Sequence, residues 1–600
     1  MSHKKKLRTP KLLWILISAL ALCVFCWRSG AIRLFDLDEA LYVSCARQMI
    51  LTGDYITPRL NSVPPGDPTA LTTPFFEKPI LVYWASAGAM RLFGLSEGAA
   101  RIPVALTSLA TLALIVVFAT RFYGKRAGLL AGLCFLTSPL TVVDARQMTT
   151  DGLLILWISG MLFLYASLAG IGGRPRRKTL VLILFWLCGA AAVLTKGIVG
   201  LLLPALIIFF YNFSKARSTG EHETRKRGIV TLTRKGLSGF HSLRLLWGLL
   251  CVILLTAPWH LAISSRHERD SQGRDFVQEY VIRQHIGRFK GGDKVHNAPI
   301  ISYFGYLLIG FFPWACFLPS ALRKPKPHSE SEPELQEEDV EGSAPAAEVR
   351  RYLTVWIGVI FVFFSLASAK LPTYIAPLYP AASVLVGAWL ARAIATKKLD
   401  RNLIRGAQGA TLTSALLVFA VLIAPRFLPK NAPVSPAVLT LAVHLTVILL
   451  VGSIIGWICF AKKWRLEGIG AMAGAMVLLV AFIAGEGYTT AQRDILAPYQ
   501  EIAISANTLH APGETVIYYN IVPRRPSMLF YADYSPVEQK DPPLTPLLAT
   551  LLTPQNRTVL VALSRDSYRK RLEIELKTSP QIFVTVLKET DGWLLLRLKK

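Results

Sequence analysis

The residues of this 600-residue chain that could do chemistry are acids and cations set among aromatic and apolar neighbours. Asp38 and Glu39 adjoin in FDLDEALYVSCARQM, and Glu77 and Lys78 adjoin in TTPFFEKPILVYW. Asp151 closes DARQMTTD, and Lys196 stands in LTKGIVG between two apolar runs. His285 and Arg288 share IRQHIGRF, and Lys370 and Tyr374 share AKLPTYIAPLYP. A carboxylate can take a proton from an attacking hydroxyl or amine. Cations can stabilise charge growing on a phosphate leaving group, and arginine offers phosphate a planar fork of donors. Together these residues form a kit for transferring a group from an anionic lipid carrier.

Each also has a plainer reading, which residue type alone leaves open. Asp38 and Glu39 suit a helix N-terminus, and Asp151 suits an N-cap. Lys196 either snorkels or meets an anion. His285 and Arg288, three residues apart, suit one face of a solvated amphipathic helix. Glu77 and Lys78 suit an ordinary surface pair.

The elements that must position these residues are membrane helices. Hydrophobic residues make up 52% of the chain and the mean hydropathy is +0.43. Several runs reach the roughly 17–25 apolar residues that span a bilayer, and unbroken runs of that kind mean helices. The expected fold is a polytopic α-helical membrane protein. Thirteen spans are expected, near 11–28, 99–121, 127–143, 151–170, 179–194, 197–213, 245–264, 300–319, 352–369, 373–392, 406–424, 437–460 and 466–485. The residues after Asp38, with Ala40, Leu41, Val43 and Ile50 apolar, suit a helix lying along the membrane surface.

A net charge of +28 in a soluble chain would suggest nucleic acid. Here the basic residues cluster in short loops between apolar runs, which is the positive-inside pattern, and no nucleic-acid reader motif accompanies them. With KKK at residues 4–6 in the cytoplasm, alternation puts RFYGKR, GGRPRRK, 214–244, 320–351, 392–405 and AKKWR on the same side. Loops 31–98 and 265–299, every residue named above and the C-terminus then lie outside. The basic start and first apolar run read as an uncleaved first helix. Of eight cysteines, seven lie in or at apolar runs and Cys45 stands alone in the first long loop, so no disulfide or zinc framework is expected.

Residues 324–349, rich in Pro, Glu and Ser, read as a disordered cytoplasmic linker within a transmembrane domain of 1–485. Residues 486–600 read as a small extracytoplasmic α/β domain. Strands are expected at 514–520, 526–533, 557–564, 581–589 and 592–599, with a helix at 565–577.

The ordered motifs resemble a known family. DLDEALYVSCARQMILTGDYITPRLN, FFEKPILVYWASAGAMRLFG, AARIPVAL, RQMTTDGLL, LTKG, PWHLA, QHIGRF and KLPTYIAPLYP occur in one order over about 30–390. They resemble the dolichyl-phosphate-mannose protein mannosyltransferase superfamily, in particular its aminoarabinose lipid A transferase branch. The resemblance implies a GT-C fold and an inverting glycosyltransferase. The donor would be a sugar on undecaprenyl phosphate, and the acceptor lipid A, another glycolipid or a protein. The site would face the periplasm from a bacterial inner membrane. It implies Asp38 and Asp151 as catalytic carboxylates and Glu39 as an acceptor or orienting group. Lys78, Arg288, Lys196 and Tyr374 would meet the donor phosphate. Glu77 would stand where a divalent metal ion can bind, with His285 near it. Two departures stand out. Residues 62–74 look like an insertion, and the histidine expected to partner Glu77 falls on Arg283, with His285 off register. The competing class is a lipid-linked sugar flippase or secondary transporter, against which the absence of paired halves counts.

Overall fold

The computed structural model describes residues 11–36, 38–60, 73–171, 178–219, 229–240, 243–287, 298–323, 344–396, 401–427, 435–511, 514–519, 521, 525–534, 536–539, 558–568, 572–574 and 582–599. Among them ten helices are long and apolar enough to cross a membrane, and a shorter apolar helix covers Leu12–Cys26. Helix α1 is Lys11–Cys26, α2 Asp38–Thr52, α3 Leu81–Phe93, α4 Glu97–Leu136, α5 Pro139–Arg146, α6 Thr150–Leu168 and α7 Lys178–Lys196. Then come α8 Val199–Thr219, α9 Ile229–Ser238, α10 Leu245–Ser265 and a π-helical stretch Val277–Gly287. Helices α11 Ser302–Gly310, α12 Leu318–Leu322, α13 Ala344–Leu366, α14 Tyr379–Ala395, α15 Arg401–Ile423, α16 Pro436–Ala461 and α17 Arg465–Phe482 complete the apolar part.

Two expected runs, 99–121 and 127–143, meet in α4. Ser96 caps its start, its hydroxyl accepting from Ala99 N–H. The helix breaks at Gly124, whose φ of 86° suits glycine, and the chain folds back on itself. A Cβ on Gly128 would come within 2.0 Å of the Thr120 hydroxyl, and one on Gly132 within 2.8 Å of Val116. The run 300–319 is not one helix. Pro313 and Pro319 withhold N–H groups, leaving α11, a 3₁₀ turn at Trp314–Cys316, and α12.

Other expectations also need correction. Helix α2 forms, but its residues Glu39, Ala40 and Tyr42 through Met49 are buried, so it does not lie along a surface. It is covered by α3 on one side and by the C-terminal part of the chain on the other. The expected linker ends earlier, because α13 begins at Ala344; residues 324–343 lie outside the described residues. The expected strand at 526–533 is helix α20, Ser527–Tyr531. Its residues Ser527 to Phe530 are all buried, and a short apolar run buried all round carries no period to separate strand from helix.

Beyond α17 the helical path continues through a π-helical turn Ile483–Gly487, α18 Tyr488–Ala491, another π-helical turn Gln492–Leu496 and α19 Ala497–Leu509. The boundary expected at 486 therefore falls inside a continuous helical stretch. Strands β1 Arg59–Leu60 and β2 Thr73–Pro74 pair antiparallel beside the first loop. Strands β3 Thr515–Tyr519, β4 Val537–Gln539, β5 Thr558–Ser564, β6 Phe583–Thr590 and β7 Trp593–Lys599 form a mixed sheet ordered β4-β3-β5-β7-β6.

One buried knot ties the segment before α2 to the bundle. Arg101 and Glu39 are 1% and 2% exposed. Arg101 donates to Glu39 from Nε at 2.7 Å and Nη2 at 2.8 Å. Its remaining N–H groups reach the carbonyls of Ser29, Ile32 and Arg33. Glu39 also accepts from the N–H groups of Met148 and Phe35, each at 3.0 Å. Breaking a buried pair by removing one partner costs about 3–5 kcal/mol. Arg101→Met should therefore lower the melting temperature of the detergent-solubilised protein steeply, and Arg101→Lys should not restore it. Helix packing has its own test. Gly387 of α14 lies so close to α4 that a Cβ would sit 2.3 Å from the Ala131 backbone nitrogen, whereas one on Gly470 meets nothing within 4 Å. Gly387→Ala should cost about 1–3 kcal/mol by overpacking, and Gly470→Ala should leave the melting curve in place.

Candidate active site

A cavity of about 470 Å³ opens where several helix ends meet. It brings together Glu77, Lys78, Asp151, Lys196 and Tyr374, five residues singled out from sequence and separated by up to about three hundred positions. Each arrives from a helix end or a turn. Asp151 is in the first turn of α6. Lys196 is the last residue of α7, and Gly197, with φ 76°, turns the chain straight into α8. Tyr374 sits in the 3₁₀ turn Pro372–Leu378 that leads into α14.

The cations and acids are paired in a definite way. Lys196 Nζ donates to Asp151 Oδ1, and the Thr373 hydroxyl donates to Oδ2 at 2.8 Å. The Lys196 ammonium also lies 4.7 Å from the centre of the Tyr374 ring, a distance at which the ring face attracts a cation. Asp151 is thus an engaged anchor for Lys196. Lys78 is buried, with its ammonium 4.0 Å from Glu77 Oε2. The Lys370 amine is turned back onto the carbonyl of Ala367.

The strip carrying Lys78 is braced from below. Phe75 N–H bonds the Pro58 carbonyl at 2.8 Å. The loop before β1 is gripped at Asp54 by Arg266, at 2.5 Å, and by the N–H groups of Ile56 and Thr57. Burial raises the Asp54 carboxyl, but these partners outweigh it and hold it below its ordinary value. The stability this clasp supplies is in force above the ordinary carboxylate range and is lost as pH falls through the lowered value. Trp259 donates to the Ile56 carbonyl at 3.0 Å, and Phe76 meets Phe276 edge to face at 5.8 Å.

Asp38 opens α2 and is exposed. It is not part of the cavity wall, yet its charge bears on Lys196, Tyr42 and Tyr83. Tyr42, one turn along α2, is fully buried, and its hydroxyl has no hydrogen-bond partner among the described residues. Burial, then Asp38, Tyr83, Glu77 and Asp151, push its phenol far above the ordinary range. Carboxylates from three separate segments thus act electrostatically on one phenol. Glu39 points elsewhere: both its oxygens are taken up by Arg101 and by backbone N–H groups. It orients the segment, and it offers no free oxygen to an acceptor.

Arg288 lies outside the described residues. The backbone of His285 is in the Val277–Gly287 stretch, and its side chain lies outside them. Arg283 pairs with Glu279 at 2.6 Å. Among the described residues no group of three or more His, Cys, Asp or Glu side chains is placed to hold a metal ion. Glu77, flanked by an ammonium, does not by itself fit one.

Sequence reasoning missed part of the wall. Tyr280 and Gln284 line it from the π-helical stretch, and Ile198, Leu202, Phe363 and Phe364 supply an apolar side. The apolar four carried no distinguishing signal within their apolar runs. Tyr42, which lies outside the wall, had one, since it follows Asp38 by four residues on a helix.

The chain is similar to known proteins in both sequence and fold. Residues 77–229 match the family model described as dolichyl-phosphate-mannose-protein mannosyltransferase. The chain is 28% identical over 465 residues to the undecaprenyl phosphate-alpha-4-amino-4-deoxy-L-arabinose arabinosyl transferase of Pectobacterium carotovorum, covering 75% of this chain and 72% of that protein. The enzyme of that name from Erwinia tasmaniensis is 28% identical over 460 residues, covering 74% and 72%. Among solved structures, ArnT from Cupriavidus metallidurans bound to undecaprenyl phosphate superposes with a TM-score of 0.72 at 22% identity, covering 97% of both chains. The apo form gives 0.71. The chain has the GT-C fold of that transferase, and its sequence is similar to the mannosyltransferase family model over residues 77–229 and to the aminoarabinose transferases over about three quarters of its length.

Proposed function

We propose that the protein is a membrane glycosyltransferase that moves a sugar from undecaprenyl phosphate to an acceptor at the periplasmic face of a bacterial inner membrane. The observation that carries this reading is the cavity itself. It joins Lys78, Lys196 and Tyr374 to an apolar side of Ile198, Leu202, Phe363 and Phe364. A phosphate would meet the cations while its isoprenoid chain ran along the apolar side. The relatives' names support an aminoarabinose-type pentose as the sugar. The acceptor in this reading is lipid A, another glycolipid or a protein. The transporter reading gains no support: Asp151 and Lys196 stand at helix ends and are paired to each other.

In this reading Asp38, exposed beside the site, takes the proton from the acceptor hydroxyl as its oxygen attacks the anomeric carbon. The bond from that carbon to the phosphate oxygen breaks on the opposite side, which inverts the centre. Undecaprenyl phosphate leaves, and Lys78 and Lys196 stabilise the charge that grows on it. Asp151 holds Lys196 in place, and Tyr374 covers its ammonium.

Two variants test these roles in transfer assays with purified protein, undecaprenyl-phosphate aminoarabinose and lipid A. Asp38→Asn should lower kcat by about 10²–10⁴-fold, the usual worth of a general base, with an unchanged melting temperature. Full activity of that variant would remove Asp38 from the chemistry. Lys78→Ala should lower kcat by about 10²–10³-fold, the loss typical of one positioned charge-stabilising donor, and also weaken binding of undecaprenyl phosphate alone.

A further inference from the structure

The C-terminal part of the chain does more than cover the bundle. Asp36, two residues before Asp38, has a side chain only 9% exposed. Arg525 donates to its Oδ2 at 3.2 Å, and the Ser527 N–H donates to its Oδ1 at 3.1 Å. The Arg525 guanidinium is itself seated 4.7 Å from the centre of the Tyr499 ring. Leu34 is gripped by both backbone groups. Its N–H donates to the Tyr531 hydroxyl, and its carbonyl accepts from Gln500, each at 3.0 Å. Gln500 also bonds the Ser527 hydroxyl at 3.0 Å, and Tyr531 donates to Glu97 at 2.8 Å. On the other side of Asp38, Glu39 is locked to Arg101. Asp38 therefore stands between two anchored neighbours, one fixed by the bundle and one by the C-terminal module.

We propose that Arg525 is a positioning residue for catalysis: acting through Asp36, it makes the C-terminal module a working part of the site by setting where Asp38 stands. This rests on the reading of Asp38 as the base. Such a residue matters because a misplacement of about 1 Å can cost roughly 10²-fold in rate. The module has a second grip that serves as a control. Arg47, nine residues after Asp38 on α2, pairs with Asp533 at 2.6 Å and with the Ala532 carbonyl at 3.2 Å. That grip holds the module to α2 without touching the segment around Asp38.

The test uses the full-length protein in lipid nanodiscs and four forms: wild type, Arg525→Ala, Arg525→Lys and Arg47→Ala. Sugar transfer is followed for kcat and for the donor KM, and backbone hydrogen exchange is followed in peptides covering residues 33–40. Arg525→Ala should lower kcat by about 10-fold or more, within the range that misplacement gives, and leave the donor KM unchanged. Arg525→Lys should recover part of the loss. Arg47→Ala should keep kcat. Exchange at 33–40 should quicken in Arg525→Ala and stay at the wild-type rate in Arg47→Ala. Wild-type kcat in Arg525→Ala would overturn the proposal, as would equal losses of kcat in Arg525→Ala and Arg47→Ala. If the wild type transfers no sugar, the proposed function fails on its own. Exchange then decides the clamp separately: unchanged exchange in Arg525→Ala overturns it, and faster exchange confined to that variant supports it.

Discussion

The buried pair of Glu39 and Arg101 is the constraint on which the site end of the molecule depends. Two charges removed from water are tolerable only if every polar atom is satisfied, and here they are. Arginine has five N–H donors, and those of Arg101 are divided between Glu39 and three carbonyls of the segment leading to α2. Glu39 adds the N–H groups of Phe35 and Met148. One interaction thus fixes the end of the first helix's exit loop, the start of α2, the first turns of α4 and the turn between α5 and α6. Asp38 is covalently next to it, and Asp151 follows Met148 by three residues. The positions of both carboxylates are consequences of the same knot.

The rest of the site follows from how a bilayer treats charge. Ionisable groups within apolar helices are costly unless they pair or reach an end. Lys196 and Asp151 do both, pairing where α7 ends and α6 begins. A lone lysine there would be free to snorkel in many directions. Bound to Asp151 and lying over Tyr374, it has one direction. The result is a cavity lined by both fixed charges and apolar side chains, the two kinds of surface that the head and chain of an isoprenoid phosphate need.

Much of this was legible in the sequence because the membrane writes long, simple signals. The apolar runs gave the helices, and the glycine of RFYGKR marks the reversal inside α4. Glu77, Lys78, Asp151, Lys196 and Tyr374 could be named because each is a charge or a tyrosine beside an apolar run. What stayed hidden depends on contacts distant in sequence. Nothing local says that α2 is covered on two sides, so it read as a surface helix. Arg101 gave no sign that it reaches Glu39, because AARIPVAL looks like any helix start. PSMLFYAD read as a strand because its burial comes from α2 and α19, hundreds of positions and one helix away.

In the proposed reading, the cavity lined by Lys78 and Lys196 receives a polyprenyl phosphate. The most direct measurement is a cryo-electron microscopy map of the full-length protein with undecaprenyl phosphate. Phosphate density is expected against Lys78, with the isoprenoid chain leaving along Ile198, Leu202 and Phe363. Lipid phosphate bound instead in the open groove lined by Leu237, Arg244 and Trp247, with the Lys78 cavity empty, would contradict it.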